Sequence, residues 1–156
     1  MSLDRVTRRR PLVVALTGVL VLLAACSAPA AAPPPGFTGY RWAVSSISHD
    51  GTTTPIPRSY AVSLRFTPDG HFGADEPVNY HSGGYRVTAD GFVAHGLIST
   101  DAGYAGDDPV VLLAIAAIDA IGDDVPVPAT VSGDTLTVTA GAYTLVAERD
   151  GRQAAF

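Results

Sequence analysis

The sequence contains a single cysteine, Cys26, and no lysine among its 156 residues. With one thiol the chain cannot form an internal disulfide, so a folded domain must be stabilised by a hydrophobic core. The apolar run from Leu12 to Leu23, interrupted by Thr17 and Gly18, is shorter than the roughly 20 residues that span a bilayer. These features exclude a disulfide-linked scaffold and argue against a transmembrane helix in this segment.

Positive charge is also scarce. Four of the ten arginines and one of the fifteen acidic residues precede Cys26, so the chain from Cys26 onward carries six arginines, fourteen acids and a net charge of −8. Phosphate backbones are bound by basic surfaces, so we expect no nucleic acid partner. Anionic lipid would repel such a domain, so membrane attachment would require an anchor.

The N-terminal segment has the three parts of a bacterial lipoprotein signal. Four arginines within residues 5–10 form a charged head, an apolar run follows, and Leu23-Ala24-Ala25-Cys26 places small residues before the cysteine. In such signals the chain is cut before the cysteine, which then carries two or more acyl chains, enough for stable anchoring. The alternatives are secretion with an incidental cysteine and, from the arginines of residues 7–10, twin-arginine export.

This pattern predicts three parts in the chain. Residues 1–25 form the signal peptide, residues 26–36 a lipidated Pro/Ala-rich tether, and residues 37–156 one domain. Cys26 is the predicted lipidation site, and the protein is expected on the extracytoplasmic face of the cell membrane. We expect the protein to be a monomer that binds an unidentified envelope protein.

Alternating apolar residues predict strands through most of the domain. They include an opening strand around Trp42, a strand from Tyr60 to Phe66, and a final hairpin over residues 135–147. Turn signals lie at residues 67–70, 89–91 and 140–142, and Arg149-Asp150-Gly151 predicts a further turn before a short last segment. The expected fold is mainly β (α+β): a small antiparallel barrel or strongly curled sheet.

One segment breaks the alternation and predicts a helix packed on that sheet. Asp108 is the expected N-cap, Pro109 the first helical residue, and Gly122 the C-cap of a helix over residues 109–121. Val111, Ile115 and Ile118 form an apolar stripe, expected to be buried against Trp42 and the 60–66 strand. On this basis Ile115→Ala should destabilise the domain more than Ile121→Ala.

Several landmarks resemble the META domain, the family of HslJ-like heat-shock lipoproteins. Gly39-Tyr40-Arg41-Trp42 is similar to the family's opening Gly-x-x-Trp, and residues 78–85 fit its Cys-Asn-x-x-x-Gly-x-Tyr motif with Val78 replacing cysteine. Residues 100–104 occupy the place of a Thr-x-Met-Ala-Cys stretch, and residues 133–138 are similar to its terminal Gly-Asp-x-Leu-x-Leu element. The resemblance implies an envelope lipoprotein associated with stress response, without an established reaction.

Both family cysteines are replaced in this chain, by Val78 and Tyr104. Their joint loss is expected if they face each other, because losing one alone would leave a free thiol in an oxidising compartment. Packing of Val78 against the Tyr104 ring is therefore expected where a bond would otherwise form. The remaining motif positions, Asn79, Gly83 and Tyr85, are candidate binding or structural residues, and the structural role is favoured.

Other reactive residue types form no recognisable site in the sequence. The histidines have no metal-binding spacing, so no metal or other cofactor is expected. The aspartates before the helix match no calcium loop and are explained by capping. No Gly-x-Ser-x-Gly elbow surrounds a serine, so no catalytic residues are assigned. The residues considered were His49, His71, His81, His95, Asp101, Asp107, Asp108, Ser45, Ser46, Ser82 and Ser99.

Three functions remain as hypotheses. The first is a non-enzymatic, membrane-anchored envelope lipoprotein that acts in stress tolerance or envelope maintenance through protein contacts. The alternative is a carrier whose barrel mouth accepts a small apolar ligand, and an enzyme is the last choice. A barrel interior filled by side chains would favour the contact protein, whereas an open apolar cavity of several hundred cubic ångströms would favour the carrier.

Overall fold

A computed structural model describes residues 36–155, so the predicted signal peptide, Cys26 and nearly all of the tether lie outside the described residues. Within that range the chain forms nine strands, one α-helix and a short 3-10 turn, Arg58–Tyr60. The helix α1 is Pro109–Asp119. The strands are β1 (Tyr40–His49), β2 (Thr52–Pro55), β3 (Ser63–Phe66), β4 (His71–Asp75), β5 (Tyr80–Val87), β6 (Gly91–Ser99), β7 (Pro126–Ser132), β8 (Thr135–Ala140) and β9 (Tyr143–Arg152).

The strands form a closed antiparallel barrel of eight strands. The sheet order is β2-β1-β3-β4-β5-β6-β7-β8-β9, and β1 also pairs with β9, which closes the barrel and leaves β2 as an extra strand. Strand β1 is long enough to pair with three other strands. Along one edge, residues 40–43 pair with β3 and residues 46–49 pair with β2, and along the other edge nearly the whole strand pairs with β9. The predicted mainly β barrel with one helix is confirmed.

The barrel interior is filled by the side chains that alternation predicted. On β1, Trp42 and Val44 point inward, and a register shift between Val44 and Ser46 makes Ile47 the next buried residue. A bulge places two residues opposite one, which moves the inward face by one position. The fully buried set includes Trp42, Leu64, Phe66, Phe72, Phe92, Ile118, Leu136, Val138 and Leu145.

The strand predicted from Tyr60 begins later than expected. Tyr60 ends the 3-10 turn, and Ala61 takes a left-handed backbone conformation with φ of 55°. Strand β3 therefore starts at Ser63, although Val62, Leu64 and Phe66 do enter the core as predicted. The left-handed residue turns the chain between the two segments, which the alternation of side chains does not reveal.

Among the turns, the one predicted at Arg149-Asp150-Gly151 is wrong. Strand β9 continues through these residues to Arg152, which pairs with Tyr40. The long β1 offers hydrogen bonds along this whole stretch, and a register shift between Arg41 and Trp42 accommodates the turn-forming residues. The turns near residues 67–70, 88–90 and 141–142 connect strands as predicted, with Gly70 at φ of 88°.

The helix begins as predicted, and Val111 and Ile118 are buried as predicted, but its end and the burial of Ile115 differ. Asp108 caps the N-terminus by accepting a 2.9 Å hydrogen bond from the Val110 amide. The helix ends at Asp119, and its C-cap is Ala120, not Gly122. Ile115 is only half-buried, so its prediction as a central core residue is wrong. The face against the barrel is Val111, Ala114, Ala117, Ile118 and, just beyond the helix, Ile121.

The two ends of the barrel are closed by different elements. Helix α1 lies at the end where β1 finishes and β9 begins, with Asp119 Oδ1 3.7 Å from His81 Nε2 and the Asp124 amide donating to the Ala94 carbonyl. We call this the helix-capped end. At the other end the chain enters through Phe37, whose carbonyl accepts from the Trp42 indole at 3.0 Å. We call it the aromatic end.

Candidate functional site

A groove of about 630 Å³ opens at the helix-capped end. It lies between the 3-10 turn that precedes β3, the link from β4 to β5 and the start of α1. This volume is within the range of small-molecule sites in proteins. The lining residues are Arg41, Ser59, Tyr60, Ala61, Asp75, Glu76, Pro77, Val78, Tyr104 and Val111.

One wall of the groove is formed by Tyr60, which is tied to the helix cap. Its hydroxyl donates to Asp108 Oδ2 at 2.7 Å, while Oδ1 of the same carboxylate accepts from the Val110 amide. The hydrogen bond to Asp108 raises the pKa of Tyr60 above its usual value of 10.0. The same bond, followed by the backbone bonds at the helix start, lowers the pKa of Asp108. At neutral pH Tyr60 therefore stays a donor and Asp108 an anion.

The charged side chains at the opposite wall compensate one another. Arg41 Nε donates to Ser63 Oγ at 3.3 Å, and this hydroxyl donates to Asp75 Oδ2 at 2.7 Å. Arg65 then binds Asp75 Oδ1 at 3.2 Å, and Arg41 lies 3.6 Å from Asp150. Antiparallel pairing of β1, β3 and β4 places these side chains on adjacent strands. Neither Arg41 nor Asp75 is left without a charge partner.

Glu76 is the most buried acid of the groove, with 6% of its surface exposed. Its Oε2 accepts a 2.7 Å hydrogen bond from the Val78 amide, and its own amide donates to the Asn79 carbonyl. These bonds close the tight link between β4 and β5. The groove thus combines a buried carboxylate, compensated charges and tyrosine walls, an arrangement suited to binding a polar or amphipathic ligand.

Asn79 is a structural residue of an adjacent loop. Its side-chain oxygen accepts from the Ala102 amide at 2.8 Å and from the Thr100 hydroxyl at 3.0 Å, and its side-chain nitrogen donates to the Ala102 carbonyl. These three bonds hold the segment that leads to Tyr104. Asn79 therefore supports the groove indirectly by fixing one of its walls.

Gly83 and Tyr85 lie farther along β5 and do not join Asn79 in one site. Gly83 lies at a register shift between Ser82 and Gly84, where any Cβ would fall 2.8 Å from the His95 carbonyl oxygen. The Tyr85 hydroxyl donates to the Thr67 carbonyl at 2.9 Å, at the aromatic end. Burial raises the pKa of Tyr85. The sequence motif therefore marks packing positions along a strand.

Val78 and Tyr104, which replace the two cysteines of the resembled family, line the same groove. The Tyr104 ring lies against the backbone of Gly106, where a side chain would overlap it. Direct packing of Val78 on Tyr104 remains a prediction.

The structure brings together one serine–histidine pair that the sequence did not suggest. Ser82 Oγ lies 3.0 Å from His71 Nε2, across neighbouring strands β4 and β5. The cavity beside His71 measures about 20 Å³, which is too small for a substrate. This pair is a cross-strand contact and not a site with room for a reacting group.

The other histidines are separated from one another. His49 stacks on Tyr143 with ring centroids 4.5 Å apart, His81 faces Asp119, and His95 lies against Gly84. Over residues 36–155 no three histidine, cysteine or acidic side chains come together in an arrangement able to hold a metal ion.

No protein-family model and no curated protein matches this chain. The fold is similar to an NMR structure of a protein from Burkholderia xenovorans, with a TM-score of 0.57 and 17% sequence identity. The match covers 81% of this chain and 97% of the other. At this identity the likeness concerns the fold alone.

The one α-helix of the described range is too short to cross a membrane, and no helix there has the length and apolar character required.

Most of the groove could not be found from the sequence. Tyr60, Arg41 and Glu76 are separated in sequence and meet through the pairing of β3 with β1 and β4 and through the left-handed turn at Ala61. The sequence signals present were the cap at Asp108 and the substitutions at Val78 and Tyr104, and all three residues lie in or beside the groove.

Proposed function

We propose that this protein is a membrane-anchored envelope lipoprotein that acts without catalysis, in stress tolerance or envelope maintenance, through contacts with another envelope protein. The observation that carries the proposal is the filled barrel interior. Trp42, Phe66 and Phe92 are completely or almost completely buried inside it, and Ile118 of the helix joins the same core. A filled interior favours a protein that works through its surface.

The carrier of a small apolar ligand is the weaker alternative. In the described part of the chain, the groove at the helix-capped end is large enough for such a ligand. However, its lining includes Arg41, Asp75 and Glu76 beside the tyrosines, and burial of a charged group against an apolar ligand is unfavourable. A surface contact that satisfies these polar groups fits the groove better.

The resemblance to the META domain supports the same role. We propose that the chain is a diverged member of that family, since three of the four resembled motifs lie at or beside the starts of β1, β5 and β8 of a barrel with one helix. In this proposal the position of Val78 and Tyr104 beside one groove accounts for the joint loss of the family cysteines.

Cys26→Ser tests the anchor. The substitution removes the thiol that would receive the lipid, so we expect the protein to move from the membrane pellet into the soluble envelope fraction. Ser27→Ala, the neighbouring change outside the lipobox, should leave it in the pellet. Retention of the Cys26→Ser protein in the pellet after a salt wash would contradict the lipobox.

The contact role is tested by obstructing the groove in cells. A strain without this protein should grow less well under heat, detergent or osmotic stress, and the unaltered chain should restore growth. Ser59→Trp adds a large side chain to the groove and should fail to restore it. Ser132→Trp makes the same change at an exposed position on β7 and should succeed.

Two results would contradict the proposal. Normal growth of the deletion strain under all three stresses would exclude a role in stress tolerance. Full restoration by Ser59→Trp would show that the groove is not the contact surface, even if the deletion strain is sensitive.

A further inference from the structure

Glu76 is a buried acid with no cation beside it. The other groove charges are compensated: Arg41 lies beside Asp150 and Asp75 beside Arg65. No ion pair involves Glu76 in the described part of the chain. With only 6% of its surface exposed, the Glu76 residue loses much of its hydration on folding, and an adjacent cation would compensate for that loss.

One oxygen of this carboxylate is still available. Oε2 accepts from the Val78 amide at 2.7 Å, and no donor within residues 36–155 reaches Oε1. Oε1 is also absent from the fully buried side-chain atoms that lack a partner, so it keeps contact with solvent. Since Glu76 lines the groove, a ligand in the groove can supply the missing donor.

The tyrosine walls favour the same kind of ligand. Tyr60 and Tyr104 both line the groove, and the faces of aromatic rings attract cations. Tyr60 is held by its bond to Asp108, and that second carboxylate adds negative charge at the same wall. The groove therefore has an excess of negative charge once its ion pairs are counted.

Three alternatives fit the groove less well. An anion would be repelled by the negative charge of Glu76. A guanidinium binds best to both oxygens of a carboxylate, and here the Val78 amide occupies one of them. A metal ion would need further ligands, and the described residues provide no group of three. An ammonium group, which can donate to a single oxygen and lie against a ring, meets all of these conditions.

We infer that the groove binds a primary alkylammonium group, with Glu76 as its counter-ion and Tyr60 and Tyr104 as its walls. This chain contains no lysine, so none of its own side chains supplies that group. The ligand is therefore another molecule: a free alkylamine or a lysine side chain of a polypeptide. The inference goes beyond the role proposed above, because it concerns ligand chemistry and holds for either source.

The inference is tested by adding a probe to the detergent-solubilised full chain and following the backbone amide chemical shifts by NMR. The probe is Nα-acetyl-lysine N-methylamide, and its Nε-acetylated form is the matched uncharged control. We expect saturable shifts at the Val78 amide and around Tyr104 with the charged probe, and at least tenfold weaker binding with the acetylated one. Equal binding of both probes, or no saturable shift with the charged probe, would overturn the inference.

Substitutions locate the bound cation. Glu76→Gln keeps an oxygen that can accept from the Val78 amide but removes the charge, so we expect binding to weaken at least tenfold. Asp90→Asn removes one acid from the exposed turn between β5 and β6 and should leave binding unchanged. Tyr104→Leu, useful if Glu76→Gln does not fold, should weaken binding several-fold. Unchanged binding in Glu76→Gln, or in Tyr104→Leu where Glu76→Gln is unfolded, overturns the assignment.

Two further probes distinguish the sources of the ammonium group. Tighter binding of 1,5-diaminopentane than of a capped Gly-Lys-Gly peptide supports a free amine. Tighter binding of the peptide supports a lysine side chain of a protein partner. This assay uses purified protein, so its result is separate from the growth experiment that tests the protein-contact role.

Discussion

The aromatic end and the helix-capped end of the barrel are closed in different ways. At the aromatic end, Phe66 lies within 5.4 Å, between ring centroids, of Phe37, Phe72, Tyr85 and Phe92. At the helix-capped end, the helix contributes mostly small or aliphatic side chains, among them Ala114, Ala117 and Ile118.

Because of this difference, we assign folding stability mainly to the aromatic end and ligand binding to the helix-capped end. Rings packed in tilted and edge-to-face pairs fill one end densely and leave little space for a ligand. The smaller helix face closes the core but ends at a rim of polar side chains, where the 630 Å³ groove opens. We therefore expect substitutions at the aromatic end to affect folding and those at the groove to affect binding.

Phe66→Ala should have the largest effect on stability. The ring is fully buried and meets four other rings, so its loss should cost about 3–5 kcal/mol, a large part of the 5–15 kcal/mol typical of a domain. The midpoint of thermal unfolding, followed by circular dichroism, should fall by more than about 12 °C. Ile98→Ala, at an exposed position, is the control and should melt like the parent. A similar melting temperature for Phe66→Ala would remove the contrast between the two ends.

Ile118→Ala should have the next largest effect and tests the helix-capped end. Ile118 is almost fully buried, so the truncation should cost about 2–4 kcal/mol. Ile115→Ala makes the same chemical change three residues earlier, at a half-buried position, and should cost about 1 kcal/mol. Comparing the two melting temperatures checks the buried face of the helix. If Ile115→Ala were the more damaging, the helix would face the barrel differently.

Sequence reasoning predicted the barrel because most of its strands bury one face. The alternation around Trp42 and over residues 135–147 reports inward and outward positions directly, and the signals at Asp108 and Pro109 mark the helix start through local chemistry. Strand β2 has no buried residue, and β7 begins at Pro126, so neither showed that pattern clearly.

Val111 and Ile118 of the predicted helix stripe are buried, but Ile115 was misassigned because every side chain from Val110 to Ile118 is apolar. Such a helix has no polar face to indicate which side meets the core. The groove was missed for another reason: its residues come from five separate segments, joined by long-range pairing of β1 with β3 and by the turn at Ala61. Its position depends on topology, which periodicity does not determine.

Tyr85→Phe should have a smaller effect at the aromatic end. The ring remains, but the Thr67 carbonyl loses the hydroxyl that donates to it at 2.9 Å. The Thr67 carbonyl still accepts from the Gly70 amide at 3.2 Å, so the loss of one hydrogen bond should cost about 1 kcal/mol, measured by urea unfolding. Tyr143→Phe is the control, because the Tyr143 hydroxyl makes no hydrogen bond within residues 36–155. Equal stability of the Tyr85→Phe protein and its parent would indicate that water replaces the hydroxyl, and that this end is less densely closed than its rings suggest.

Tyr60→Phe should have the smallest effect, visible mainly in its pH dependence. The Tyr60 hydroxyl is the largest cause of the lowered pKa of Asp108, whose usual value is 3.8. A carboxylate with a lowered folded-state pKa stabilises the fold above its unfolded-state pKa, and this stabilisation is lost as pH falls through the folded-state value. The parent should therefore melt slightly higher than Tyr60→Phe at pH 7, and the two melting temperatures should converge below pH 4. Tyr143→Phe should follow the parent at every pH. A constant difference between parent and Tyr60→Phe from pH 7 to pH 2.5 would mean that Tyr60 supports the helix-capped end by packing and not through the charge of Asp108.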